Sequence, residues 1–271
     1  MWHDCFPPNY RSTREMIAIT LAAGMGKRMG DLCLNNPKVM IEFLGKTLLS
    51  RQKELFLKKK IKHYLVAGYQ STSIDFLPTL MSINKDFFTT NMMYSLWCAR
   101  EFLTGARNED VIVSYGDIIY QENVLDALIN ETKGDLQVCA DKNFLALWSA
   151  RMDNPLDDLE SFQTNKFTGY ISGIGKKTNK IKEIEAQYIG LFKINKHFIH
   201  NFLESYESLV LKSNEYKNLA MTNFIQFLID AGAIATPVYI QGGWLEFDTE
   251  QDFKKYNLML KTGELKRIYV D

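Results

Sequence analysis

Leu21-Ala-Ala-Gly-Met-Gly-Lys-Arg-Met29 follows directly on an apolar run, Met16 to Leu21. The pattern reads as a short buried strand that opens into a turn carrying two glycines and then two cations. Gly24 and Gly26 can take backbone angles closed to other residues, and they let main-chain N–H groups approach a ligand with no Cβ in the way. Lys27 and Arg28 add positive charge beside them, so phosphate is the guest this loop suits. The G-x-x-x-x-G-K-[ST] spacing of a P-loop and the third glycine of a dinucleotide fingerprint are both missing.

Outward from this loop the chain alternates strands and helices. Residues 46–58 place Leu48, Leu49, Gln52, Leu55 and Phe56 at helical spacing, with Lys58, Lys59 and Lys60 as a solvated end that suits the helix dipole. Residues 62–67 predict a second strand closed by Gly68, and residues 85–90 a third. Asn91 stands where a helix N-cap is expected, ahead of Leu96, Ala99 and Leu103 on one face. The run Val111 to Ser114 then leads into Tyr115-Gly116-Asp117. This sets a carboxylate at the carboxyl end of a parallel strand, where open α/β sheets bind ligands, although a turn aspartate bonded to its own backbone gives the same pattern. A helix over 121–131 and a strand over 135–140 complete the rhythm of a Rossmann-like α/β fold, a mainly parallel sheet flanked by helices.

Beyond residue 148 the rhythm changes. Residues 148–152, 167–174 and 188–194 read as strands separated by Gly, Asn and Pro, which predicts a smaller antiparallel insertion. Residues 154–164 are polar and acidic and read as a loop or flap. Helices over 195–212 and 218–232 feed a closing strand pair, 236–241 and 244–247. Thr249 and Asp252 then have capping-box spacing just after Trp244-Leu-Glu-Phe-Asp248. Residues 1–15 lack periodicity and read as an extension, 16–262 as a single domain and 263–271 as a tail.

With 271 residues, 46% of them hydrophobic, the chain can bury a full core. Lys plus Arg balance Asp plus Glu at 32 each, so no electrostatic footprint for nucleic acid or an anionic membrane exists. Cys5, Cys33, Cys98 and Cys139 form no C-x-x-C pair, which fits a reducing compartment. No apolar run reaches the ~18 residues of a spanning helix, and no signal-peptide core opens the chain, so a cytoplasmic protein is expected. His3, His63, His197 and His200 share no metal-binding motif.

L-A-A-G-x-G-x-R over Leu21–Arg28, followed by Pro37-Lys38, resembles the nucleotidyltransferase family of sugar-nucleotide pyrophosphorylases and phosphocholine-type cytidylyltransferases. The resemblance spans roughly residues 16–260 by motif order. It implies an enzyme that transfers CMP from CTP to a small phosphorylated or phosphonate acceptor, such as phosphocholine, aminoethylphosphonate or a phosphorylated amino acid like phosphoglutamine. Pyrophosphate leaves, and the product serves surface polysaccharide or lipid decoration. The resemblance further implies that Arg28 and Lys38 are catalytic and that Asp117 and Asp248, the latter from W-x-E-x-D-[ST], hold Mg²⁺. Leu21, Ala22, Ala23, Gly24, Gly26, Lys27, Asn91, Tyr115 and Gly116 would bind the nucleotide. Lys27 stands where the family commonly has Ser or Thr. The antiparallel insertion would form the acceptor side, with Lys176 and Glu185 as acceptor residues. Trp148, Arg151, Tyr188 and Trp244 are further candidates: an aromatic cage suits a quaternary ammonium, an Arg fork a carboxylate, and aromatics on strands also serve as core. A homodimer is compatible with these readings. Two other functions fit the pattern: a sugar-1-phosphate nucleotidyltransferase making an NDP-sugar, and an inert nucleotide-binding regulatory subunit.

Overall fold

The computed structural model describes residues 15–76, 80–106 and 108–270. The N-terminal extension expected over 1–15 therefore lies, but for Glu15, outside the described residues. In chain order the first half comprises β1 (Met16–Ala22), β2 (Glu42–Phe43), β3 (Lys46–Thr47), α1 (Leu48–Lys58), β4 (Lys62–Ala67), β5 (Met81–Ile83), α2 (Met92–Cys98) and α3 (Arg100–Gly105). Then come β6 (Asp110–Tyr115), β7 (Ile118–Tyr120), α4 (Glu122–Asn130), β8 (Leu136–Asp141), α5 (Phe144–Arg151), β9 (Glu160–Thr164), β10 (Ile171–Lys177) and β11 (Gln187–Ile194). The chain closes with α6 (Ile199–Lys212), α7 (Met221–Asp230), β12 (Ala235–Ile240), β13 (Trp244–Glu246) and α8 (Glu250–Thr262).

The main sheet has the order β12-β8-β11-β6-β1-β4-β5. Its neighbours run parallel except at β11, which is antiparallel to both β6 and β8. β1 is buried along its whole length because both faces are covered: Met16 and Ala18 point into one core, Ile17, Ile19 and Leu21 into the other. A strand covered on both faces reads as a continuous apolar run rather than an alternating one. The first core packs Phe56 of α1, Leu125 and Leu128 of α4 and Tyr256 of α8; the second packs Leu96 of α2, Leu103 of α3, Phe202 of α6 and Phe224 of α7. Each such large apolar side chain contributes roughly 1.5–3 kcal/mol on burial. Between β1, α1 and β4 lies one polar trio: the Thr20 hydroxyl bonds Gln52 at 2.7 Å and His63 at 2.8 Å. Burial pushes the His63 imidazole down to about 3, with Lys53 adding to the effect.

Several expectations are corrected. Residues 85–89 are turns, and the edge strand β5 lies just before them. Asn84 accepts from the Asp86 amide at 2.9 Å while the Asp86 carbonyl accepts from Thr89 and Thr90, the side-chain turn chemistry that diverts a β-like sequence. Residues 148–151 end a helix, α5, whose Phe144, Leu147, Trp148 and Arg151 are buried at 3.6-residue spacing. The last two strands do not pair with each other: β12 extends the main sheet beside β8, and β13 pairs antiparallel with β7. The acidic stretch expected as a flap contains β9, which forms a hairpin with β10 lying on α7, where Gln226 accepts from the Ile174 amide at 2.8 Å. Residues 263–270, read as a tail, lie against the body, with Leu265, Ile268 and Tyr269 buried.

Candidate active site

The register pairs Leu21 of β1 with Tyr115 of β6, so the glycine loop and the Gly116-Asp117 turn leave the same sheet edge side by side. Gly116 donates its amide to the Leu21 carbonyl at 2.8 Å, and a Cβ there would lie 2.7 Å from that oxygen, so the close approach requires glycine. Gly26 sits at φ +59°, the left-handed region, and turns the chain into a 3₁₀ segment, Lys27–Cys33, that is kinked at Gly30. Gly24 has neither constraint and leaves open space above the loop. Here lies a cavity of about 300 Å³ lined by Leu21, Ala22, Ala23, Gly24, Gly26, Arg28, Lys38, Asn91, Tyr115, Gly116, Asp117 and Asp248, all expected from the sequence. Asn91 also caps α2, accepting from the Met92 amide at 2.8 Å.

Asp248 reaches this edge through the β7–β13 ribbon. The register sets Glu246 against Ile118, and the Phe247 amide donates to the Asp117 carbonyl at 2.8 Å. The Asp248 amide in turn donates to Asp252 at 3.0 Å, inside the capping box that Thr249 and Asp252 build at the start of α8. Lys38 follows Pro37 on a short 3₁₀ turn anchored by buried Val39. Its ammonium donates to Asp117 Oδ2 at 3.0 Å and to Asp248 Oδ1 at 3.3 Å, and Arg28 pairs with Asp248 Oδ2 at 2.6 Å. Burial opposes the Lys38 charge, but Asp117 and Asp248 outweigh it and hold the ammonium above its ordinary value. Burial pushes Glu246, beside this cluster, up to about 7; Arg151 pulls it back, while Asp117 and Asp248 add to the rise.

Asp117 Oδ1 is buried with no hydrogen-bond partner among the described residues. A buried orphan carboxylate oxygen is costly unless a ligand meets it. No group of three or more His, Cys, Asp or Glu suited to a metal occurs among the described residues. Two carboxylates alone nonetheless fit Mg²⁺, which takes one or two protein oxygens and completes its shell with water and substrate phosphates.

A second cavity, of about 340 Å³, shares Arg28, Asn91, Met92, Tyr115, Asp158 and Glu246 with the first, so the two adjoin. Of the acceptor candidates, Trp148 and Tyr188 line it. The others do not. Arg151 is fully enclosed, bonded to Glu246 and to Asp252 at 3.1 Å, and Trp244 is buried with its indole N–H on Asp141 at 2.9 Å. Lys176 is exposed on β10, and Glu185 is exposed with its carboxylate on the Thr164 hydroxyl at 2.6 Å. Lys27 lines neither cavity; its ammonium lies 4.7 Å from the centroid of the Phe88 ring. Sequence reasoning passed over Phe87, Thr90, Ser95, Asp158, Glu160 and Glu246, which line one cavity or both. The acidity of residues 154–164 was the available signal for Asp158 and Glu160, and the W-x-E-x-D spacing was the signal for Glu246.

The chain belongs to the family of MobA-like NTP transferase domains, whose model matches residues 18–166, and it is a nucleotidyltransferase. The CTP:phosphoglutamine cytidylyltransferase of Campylobacter jejuni is 37% identical over 254 residues, covering 88% of this chain and 98% of that one. Among solved structures, the inositol-1-phosphate CTP transferase from T. maritima has a TM-score of 0.70 at 21% identity, over 95% of this chain and 99% of that one. The CTP:phosphocholine cytidylyltransferase from Streptococcus pneumoniae has a TM-score of 0.70 at 21% identity, over 91% and 99%. At that identity the two structures speak for the fold. No helix among the described residues is long and apolar enough to cross a membrane.

Proposed function

We propose that this enzyme transfers CMP from CTP to a small phosphorylated or phosphonate acceptor, releasing pyrophosphate, with Mg²⁺ as its cofactor. The observation that carries the reading is the Asp117–Lys38–Asp248 cluster, with its orphan carboxylate oxygen, at the wall of one cavity that adjoins a second. Two adjoining cavities beside one charged cluster suit a reaction between two substrates. The choice of cytosine and of a phosphorylated amino acid as the leading acceptor rests on the likeness to the Campylobacter jejuni enzyme.

In this reading the amides of the Gly24–Gly26 loop and the Arg28 guanidinium hold the triphosphate, while Asn91 faces the nucleoside. Asp117 and Asp248 hold Mg²⁺, which when bound neutralises charge on the phosphates. Lys38, now shared between two carboxylates, turns its ammonium to the α-phosphate and the acceptor oxygen as substrates enter. Phosphate groups then replace the carboxylates as its partners. An acceptor phosphate oxygen is already ionised at neutral pH, so attack on the α-phosphorus needs no general base. Positioning and electrostatic stabilisation supply the rate. No serine, cysteine or histidine among the described lining residues stands with a base as a nucleophile would. The cytoplasm is the setting we propose, since Cys33, Cys98 and Cys139 are free thiols.

The test is pyrophosphate release from each of four nucleoside triphosphates against a panel of phospho-acceptors, with and without Mg²⁺. CTP with a small phosphate or phosphonate acceptor should dominate, and only with the metal. Preference for a sugar 1-phosphate would move the protein to the NDP-sugar branch. Tight nucleotide binding without turnover on any acceptor would make it a regulatory subunit.

A further inference from the structure

Gln52 is 1% exposed on the core face of α1, on the same buried side as Leu48, Leu49 and Phe56, and it lines neither cavity. Its amide nitrogen donates to the Tyr115 carbonyl at 2.8 Å and to the Ile118 carbonyl at 2.8 Å, so one side chain spans the turn that carries Gly116 and Asp117. The amide fits only this way round, since reversal would set its oxygen against two carbonyls. That oxygen accepts from the Thr20 hydroxyl at 2.7 Å, which uses the single hydroxyl proton. His63 Nε2, 2.8 Å from the same hydroxyl, must therefore donate to it. The hydrogen bonds along His63, Thr20 and Gln52 thus all run one way, towards the turn. The main chain there needs such donors because the sheet has ended. β1 pairs with β6 only as far as Leu21 opposite Tyr115, and β11 only as far as Leu191 opposite Ser114. Beyond that edge the Gly116 amide reaches back to Leu21, the Phe247 amide fixes the Asp117 carbonyl, and Gln52 holds the carbonyls on either side. The Ser114 hydroxyl adds a longer bond to the Tyr115 carbonyl, at 3.2 Å. A leucine at 52 would fill similar space without burying a polar amide, so packing alone does not require glutamine.

We propose that Gln52 is a positioning residue for the Asp117 carboxylate, itself set by Thr20 and His63, and that it raises the affinity of Asp117 and Asp248 for Mg²⁺. Asp117 Oδ2 is drawn to Lys38 while Oδ1 is buried with no partner among the described residues, so the carboxylate keeps its aim only while its backbone is held. Gln52 supplies that hold from a helix that touches no substrate. Groups one shell out from a metal ligand typically matter about 10–100-fold in metal affinity. This rests on the proposed reaction in taking Asp117 and Asp248 as the Mg²⁺ carboxylates.

Gln52→Met keeps the side-chain length and removes both donors. Electron paramagnetic resonance of Mn²⁺ with the full chain and the inert α,β-methylene analogue of CTP reads metal affinity without turnover. Calorimetric titration of the same analogue without metal reads the nucleotide site alone. In Gln52→Met the Mn²⁺ affinity should fall at least about tenfold, while the metal-free affinity for the analogue stays within about twofold of wild type. The Mg²⁺ concentration for half-maximal turnover should rise in the same proportion, with the acceptor KM unmoved. Thr20→Val, which removes only the anchor behind Gln52, should shift metal affinity the same way by less. Phe202→Leu, in the second core, lowers stability at a distance from the turn and should keep the wild-type Mn²⁺ affinity. Wild-type Mn²⁺ affinity in Gln52→Met, or an equal loss in Phe202→Leu, overturns the proposal and leaves the transfer reading intact. If Gln52→Met does not fold, wild-type affinity in Thr20→Val overturns it instead. A wild-type chain that binds the analogue but no Mn²⁺ removes the metal from the transfer reading and this inference with it.

Discussion

Two clusters of opposite charge branch from the same stretch, Glu246 to Asp248, and they differ in every respect but composition. Glu246 goes to Arg151, whose side chain has no exposure and whose guanidinium also bonds both oxygens of Asp252 at 3.1 and 3.4 Å. Asp252 is further occupied by the amides of Asp248 and Thr249. Asp248, two residues from Glu246, instead meets Lys38 and Arg28, the latter with 69% of its side chain exposed, beside an Asp117 oxygen that has no partner. The first cluster is closed and saturated at Arg151 and Asp252, where it ties α5 to α8, and reaches the cavity wall only through Glu246. The second is open and unsaturated and faces a cavity. Saturation separates an ion pair that holds a fold from one that waits for a ligand, and residue type does not.

The strongest test of that contrast is Arg151→Ala. It leaves Asp252 buried and Glu246 half-buried without their cation and should cost about 3–5 kcal/mol in urea unfolding. A loss below ~1 kcal/mol would show that the closed cluster does not support the fold. The open cluster should behave in the opposite way. Asp117→Ala and Asp248→Ala should each lower turnover by at least ~100-fold with little change in the unfolding midpoint. Near-normal pyrophosphate release at saturating Mg²⁺ would sink their assignment.

Lys38→Ala should depress kcat together with kcat/KM, since its charge acts more strongly as attack proceeds. Lys38→Arg should rescue poorly, because a planar fork does not occupy the point where an ammonium sits. A raised acceptor KM with unaltered kcat would make Lys38 a binding residue only.

His63 sharpens the comparison from another side, being closed and polar yet uncharged. Its folded value of about 3 lies below the unfolded ~6.5, so the fold holds it neutral and unfolding at acid pH lets it take up a proton. The stability it contributes is full above pH ~6.5 and falls by up to about 1.4 kcal/mol per pH unit as pH drops from there towards 3. Comparing urea midpoints of wild type and His63→Phe at pH 7 and pH 5 isolates this term, and equal pH dependence in both would exclude it. The smallest effect belongs to Lys27→Ala. Losing an exposed contact with the Phe88 ring should cost ~0.5–1 kcal/mol in urea unfolding and leave turnover with nucleotide almost unchanged. A loss near 100-fold would mean that Lys27 itself meets the triphosphate.

The nucleotide half of the site was legible in the sequence because its signals are local. The apolar run before Gly24, the turn at Gly116-Asp117, the Asn91 cap and the Thr249–Asp252 box are each written within a few residues, and each fixes the backbone where it stands. The parallel sheet followed from the same local periods. The sequence also marked Lys38, Asp117 and Asp248, through the resemblance those motifs carry. What it did not hold was the partner of each charge. Arg151 was read as an acceptor fork when α5, mistaken for a strand, turns it onto Glu246 and Asp252 about a hundred positions away. Asp158 and Glu160 fall in a stretch that reads as a loop or flap, yet the β9–β10 hairpin on α7 and the Trp148 indole N–H set them on the wall of the second cavity. Lys38 meets Asp248 across 210 positions because β13 pairs with β7 in one register. Residues two apart on a strand share a face, so that register, a product of packing between distant segments, brings Glu246 and Asp248 together onto the cavity wall beside Asp117 and leaves their cations, Arg151 and Lys38, to be set by elements far away in the chain.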